Sequence, residues 1–220
     1  MTMSKVILIV SDSHPLSDVL LKSPYPVMKV DEIDLIRLSD FETVFDFTLG
    51  TRQVKEKMLE QLNDLPQITV ASDLSCYHGH YLVEKYSSLQ AAFAAAFYSP
   101  KNCIELYAKS NQLYLMIEQF FKSIHIQTFR VQSPGIGFIF PRTISMIINE
   151  AFYTWEQEIA DPKNIDQAML YGVNYPIGPF EWVKKIGPSL VTQLLQELFH
   201  VTKNERYLVC RLLTKDLPYE

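Results

Sequence analysis
His78 and His80 are the only closely spaced imidazoles in a chain that has five. On a strand a His-x-His pair shares one face, the arrangement of two ligands to a metal ion. No third ligand stands close by in sequence. The pair reads equally as polar loop histidines with no special role, or as candidate general bases. A second place for chemistry is Ser11-Asp12-Ser13-His14-Pro15, directly after an apolar run. A strand that turns at once into a helix can cradle a phosphate on its backbone N–H groups when glycines let the chain come close. Here no glycine is present, and Asp12 adds a charge that repels phosphate. Asp31 and Asp34 could accept a hydrogen bond from a ribose hydroxyl, or be solvated strand ends. Cys76, Cys103 and Cys210 are odd in number and far apart, so they read as small buried residues with no disulfide framework and no metal site.

The elements that must position these groups are legible in the pattern of apolar residues. Residues 6–10 are continuous and branched, as in a strand buried on both faces of a parallel sheet. Ser13 as N-cap and Pro15 start a helix through Val19, Leu20 and Leu21. Further strands are predicted over 43–49, 68–71 and 124–131. A helix over 54–62 presents Val54, Met58, Leu59 and Leu62 to the sheet and stops at Pro66; another begins at Asn111. Ser133-Pro134-Gly135 then forms a turn in which Gly135 and Gly137 permit φ > 0. A long amphipathic helix is predicted from Phe138 to Ile159. A short helix from Asn164 or Asp166 closes at Gly172, and two more follow over 188–199 and 205–213.

Several stretches carry a resemblance. Ser133-Pro-Gly, Phe138-Ile-x-x-Arg142, Asn149-Glu-Ala, Ile165-Asp-x-Ala-Met169 and Tyr175-Pro-x-Gly-Pro-Phe-Glu181 occur in the order and spacing of the C-terminal domain of the 3-hydroxyacyl-CoA dehydrogenases. The chain resembles that family clearly over roughly 133–200 and more weakly upstream. The resemblance implies an α/β fold: a shortened Rossmann-like sheet, then an all-α C-terminal domain of the 6-phosphogluconate-dehydrogenase-like type. It places the Rossmann-like, NAD-binding domain at residues 1–131 and the helical dimerisation domain at 132–220. The region between Tyr25 and Asp40 is short for the family, as though at least one helix and strand were missing.

Carried over residue by residue, the resemblance puts Lys55 on a family lysine beside the cofactor, although it reads equally as a helix-surface lysine. Asp46 stands where the family usually has Glu. Ser75 keeps the hydroxyl of a serine that holds the substrate oxygen, whereas Asp73 and Leu74 replace Asn and Thr. The family's catalytic histidine falls on Ala96, its orienting glutamate on Ala108 with Glu105 three positions too early, and its active-site asparagine on Pro141. A base needs an imidazole with a carboxylate on its far nitrogen, so three side-chain functions are missing together.

A formal charge of −5 excludes a nucleic-acid or anionic membrane surface as the main partner, and no stretch is long and apolar enough for a membrane helix. The N-terminus suits a buried strand better than a signal peptide, so a cytoplasmic protein is expected. The expected function is that of a degenerate dehydrogenase-like protein acting as a homodimeric binding or regulatory protein for an acyl-CoA-like ligand. The alternative is an active NAD-dependent oxidoreductase on 3-hydroxyacyl-CoA or a related hydroxy acid, its base relocated to His78, His80 or Tyr98. A third possibility is a heteromeric partner of an intact dehydrogenase.

Overall fold
Val6–Val10 forms β1, and all five residues are buried because the strand is covered on both faces. A computed structural model describes residues 5–214 apart from 39, 66, 98 and 100. β2 (Val27–Lys29), β3 (Thr43–Phe47), β4 (Thr69–Asp73), β5 (Leu89–Phe93), β6 (Cys103–Ala108) and β7 (Gln127–Arg130) complete one sheet with β1 in the order β2-β1-β3-β4-β5-β6-β7. The pairs are parallel except β5 with β6. Side chains alternate between two cores, as the pleat requires. Ile7 and Ile9 face one cluster; Val6, Leu8 and Val10 face the other with Phe45, Phe47, Phe93, Phe120 and Phe121.

The connections are helical, as parallel strands require. They are α1 (Ser17–Leu21), α2 (Leu35–Leu38), α3 (Arg52–Asn63), α4 (Gly79–Lys85) and α5 (Asn111–Ser123). The helical region follows as α6 (Phe140–Glu156), α7 (Pro162–Gly172), α8 (Pro179–Ile186) and α9 (Pro188–Thr202). The fold is thus a mostly parallel α/β sheet followed by helices.

Several expectations are corrected. The excursion between β1 and β3 keeps a strand: β2 has three residues and pairs with β1, leaving α2 as the remnant before β3. Ser13 caps nothing; α1 starts at Ser17 with Leu16 at its N-cap, because the Ser13 hydroxyl is paired with Ser11 Oγ at 2.7 Å. α6 has seventeen residues and begins only after Phe138, which φ = 55° takes out of the helix. Ile139 and Ile159 are consequently exposed off its buried stripe. α7 starts at Pro162, capped by Asp161, whose carboxylate accepts the Asn164 N–H at 2.8 Å. Residues 205–213 contribute two short 3-10 turns in place of a helix. The expected stop at Pro66 lies outside the described residues, and α3 ends at Asn63.

The glycine turn joins the two parts. Gly135 and Gly137 adopt φ of 52° and 69°. The carbonyl of Gly135 accepts the His80 N–H and the N–H of Gly137 reaches Tyr77 O, so the start of the helical region is bonded to the loop after β4. No helix among the described residues is long and apolar enough to cross a membrane.

Candidate functional site
In an open sheet of this topology, ligands lie outside the carboxyl ends of the strands where the order reverses, here beside β1 and β3. The turn after β1 sends His14 inward, 1% exposed. Its Nε2 lies 3.0 Å from Asp73 Oδ2 at the end of β4, and its Nδ1 accepts the Leu16 N–H at 3.1 Å. With Nδ1 accepting, Nε2–H is the nitrogen that donates to the carboxylate. The ring also meets Phe47 edge-on at 5.2 Å.

Asp73 is fully buried and gathers four donors: His14 Nε2, the Ser75 N–H (2.9 Å), the Ser75 hydroxyl (2.5 Å) and the Ala95 N–H (3.0 Å). Burial alone would push this carboxyl up, but the hydrogen bonds from His14 and Ser75 prevail and hold it below the usual carboxylate range. Ser75 in turn accepts the Ala96 N–H at 3.2 Å. The Ser75 hydroxyl is therefore committed to the protein, and both nitrogens of His14 are spent.

A second buried network flanks the first. Lys55, 1% exposed, places Nζ 2.9 Å from Asp46 Oδ2, 3.0 Å from Thr48 Oγ1 and 3.2 Å from Ser72 Oγ, with the Tyr77 ring 5.4 Å away. Asp46 also accepts the Ser72 hydroxyl at 2.6 Å and the Thr48 N–H at 2.9 Å. Burying an ammonium and a carboxylate is costly unless their remaining valences are satisfied, and here they are. The helix-surface reading of Lys55 is thus overturned: Val54 is the exposed residue and Lys55 turns inward.

The remaining candidates scatter. His78 sits half-buried at the N-cap of α4, stacked on Tyr81, and burial holds its pKa below the ordinary value. His80 lies in α4 and pairs with Glu84 at 3.3 Å. The two are therefore not strand neighbours, and among the described residues no group of three His, Cys, Asp or Glu is placed to hold a metal. Ala96 is fully buried and carries no titratable group. Tyr98 lies outside the described residues. Glu105, three positions before the place the resemblance gives the orienting glutamate, is the buried carboxylate of β6. It accepts the N–H groups of Ile139 and Phe140 at the start of α6, while burial, opposed by those bonds, keeps its pKa above the ordinary value. Pro141, in the first turn of α6, is buried.

These residues do not fit a dinucleotide. The turn after β1 carries no glycine to bring its backbone close to a pyrophosphate, α1 has only five residues, and exposed Asp12 pairs with Lys29 at 3.0 Å. The sequence reading missed His14 as a structural group. Its signal was an inward-capable imidazole just past a fully buried strand, with Asp73 ending another. A separate cleft of about 830 Å³ with mixed polar and apolar walls opens between the N-terminus of α3, the loop after β4 and α9, lined by Arg52, Tyr77, Gln193, Glu197 and His200 among others. Gly50 O, beside it, accepts both Tyr77 OH (2.9 Å) and Gln193 Nε2 (2.8 Å).

Residues 137–218 match the family model described as 3-hydroxyacyl-CoA dehydrogenase, C-terminal domain. A 3-hydroxyadipyl-CoA dehydrogenase from Escherichia coli is 43% identical over 77 residues, covering 35% of this chain and 16% of that protein. A 3-hydroxybutyryl-CoA dehydrogenase from Bradyrhizobium diazoefficiens is 26% identical over 186 residues, covering 81% of this chain and 63% of that protein. The chain thus spans less than two thirds of the length of either. A solved (S)-3-hydroxybutyryl-CoA dehydrogenase from Ralstonia eutropha shares the fold with a TM-score of 0.72 at 18% identity, covering 95% of this chain and 92% of that one.

Proposed function
For a chain that carries the C-terminal domain of the 3-hydroxyacyl-CoA dehydrogenases, we propose a role as a dimeric binding or regulatory protein that has given up NAD and hydride transfer. The observation that carries this reading is His14. The imidazole is buried under the turn where a cofactor's phosphates would sit, and both nitrogens are engaged, so it closes that seat without serving as a base. Buried Ala96 at the family's base position points the same way. Division into a sheet domain over 1–131 and a helical domain over 132–220 belongs to this reading. So does pairing of the helical domains, which exposed Ile139, Ile159, Tyr171, Val173 and Leu208 support as apolar surface. An acyl-CoA-like ligand would be taken into the cleft beside Arg52, whose volume suits a ligand site.

Titration with NADH, following nucleotide fluorescence and the quenching of Trp155 and Trp182, tests the reading. No saturation at millimolar NADH, and no oxidation of NADH with acetoacetyl-CoA, are expected. Saturable binding in the micromolar range with turnover would overturn the proposal. Light scattering should give twice the 25.5 kDa chain mass.

A further inference from the structure
At the opposite end of the strands from the His14 and Lys55 networks, a cavity of about 410 Å³ opens between the first residues of β3 and β4, the start of β5 and the first turns of α5. The pleat decides which strand side chains enter it. Phe45 and Ala71, two residues on from Thr43 and Thr69, belong to the core that Leu113 and Met116 of α5 cover, so both threonines project onto that same face. They stand directly opposite each other in the register of β3 and β4, and both line the cavity. Thr43 is 3% exposed, and neither threonine hydroxyl is hydrogen-bonded among the described residues. Buried hydroxyls normally have a partner, and one left without it bears its desolvation cost. The other polar walls keep spare valences of both kinds. Ser110 Oγ accepts the Leu113 N–H at 3.2 Å, which leaves its own O–H to donate. Gln90 Nε2 donates to Ser87 O, which leaves Oε1 to accept. None of the lining residues carries a charge.

We infer that this cavity is a binding site for a neutral polyhydroxylated molecule the size of a single sugar ring. Each hydroxyl of such a ring both donates and accepts, which matches walls that do both, and its C–H face can lie on Leu113 and Met116. The volume is at the small end of ligand pockets, about 300–1,000 Å³, so one ring is the fitting size. An ionised ligand would give up its hydration with no opposite charge among the walls. A wholly apolar one would leave the Thr43 and Thr69 hydroxyls unpaired. The site stands apart from the proposed function, since its walls belong neither to the His14 and Lys55 networks nor to the cleft beside Arg52.

The test uses the full chain with its seven methionine methyl groups 13C-labelled, the Met116 signal being assigned with Met116→Leu. D-glucose and myo-inositol are the probes. Glucose 6-phosphate, which adds charge, and cyclohexanol, which keeps one hydroxyl, are the comparators. At least one of the neutral polyols should move the Met116 signal saturably, and both comparators should bind ~5-fold or more weakly than it does. Thr43→Val combined with Thr69→Val keeps the branched shape on both strands and should weaken polyol binding ~5-fold or more. Thr69→Val alone, at the half-buried member, should weaken it ~2-fold or more and serves if the pair does not fold. No saturable Met116 shift with either polyol up to about 50 mM overturns the site. Equal affinity for glucose 6-phosphate overturns the neutral assignment, and equal affinity for cyclohexanol overturns the polyhydroxyl one. Polyol affinity unchanged by the threonine substitutions overturns the placement.

Discussion
Replacing His14 with alanine tests whether the imidazole is a structural lock. The variant loses a hydrogen bond to a buried carboxylate, a contribution of about 1.5–3 kcal/mol, and the edge-on contact with Phe47, about 0.5–1.5 kcal/mol. Together these predict a loss of about 2–4.5 kcal/mol at neutral pH. With a urea slope of about 2–3 kcal/mol/M for a chain of this size, the midpoint should fall by about 1–2 M. The pH dependence follows from Asp73. Its folded-state pKa lies below the unfolded value of about 3.9, so it contributes stability above that pH, and the contribution is lost as pH falls through the folded value. Without His14 the folded pKa rises, and acid unfolding should begin at higher pH. Urea melts followed by tryptophan fluorescence between pH 7 and pH 3 measure both effects. A cycle with Asp73→Asn should show a coupling of at least about 1 kcal/mol. If His14→Ala stays within about 0.5 kcal/mol of the parent and keeps its acid transition, the imidazole is not locked on Asp73. The case against its use as a base would then fail.

Lys55→Met should cost about 3–5 kcal/mol in thermal melts because it strands the Asp46 carboxylate in the core, and adding Asp46→Asn should recover part of that loss. Gly137→Ala should destabilise by roughly 2–4 kcal/mol, since the new methyl would stand 2.3 Å from Leu194 Cδ1 on a backbone at φ = 69°. Gly172→Ala, with nothing within 4 Å, should be neutral or slightly stabilising in the same melts. Glu105→Ala should cost about 1–2 kcal/mol as the loss of the acceptor at the start of α6. For Glu105 the sign opposes that of Asp73. A folded pKa raised by burial means that stability falls as pH rises from the unfolded value, about 4.3, through the folded one. Glu105→Gln should flatten that slope in melting temperatures recorded from pH 4 to pH 7.

Much of the chain's organisation is written in local pattern. The branched run 6–10 specifies a strand covered on both faces, and the motifs between 133 and 182 carry the helical region, including the two glycines whose φ > 0 the turn requires. The glycine-free turn after β1 was equally plain. The three-residue β2 was not, because periodicity needs more residues than that to declare itself. α3 shows a different limit. Lys55, Met58, Leu59 and Leu62 have the i, i+3, i+4, i+7 spacing of a buried face, but a lysine at the first position reads as surface until something inside is seen to pair with it.

The sequence by itself determined the class of fold, the likeness of the helical region to a known domain and the absence of glycine from the turn after β1, because those depend on residues close together in the chain. Only the tertiary structure decided which buried polar groups meet. His14 and Asp73 are 59 residues apart, Asp46 and Ser72 are 26 apart, and Glu105 meets the start of α6 34 residues on. A buried polar group is tolerated only with its partner in place, and which partner arrives is fixed by strand order and packing.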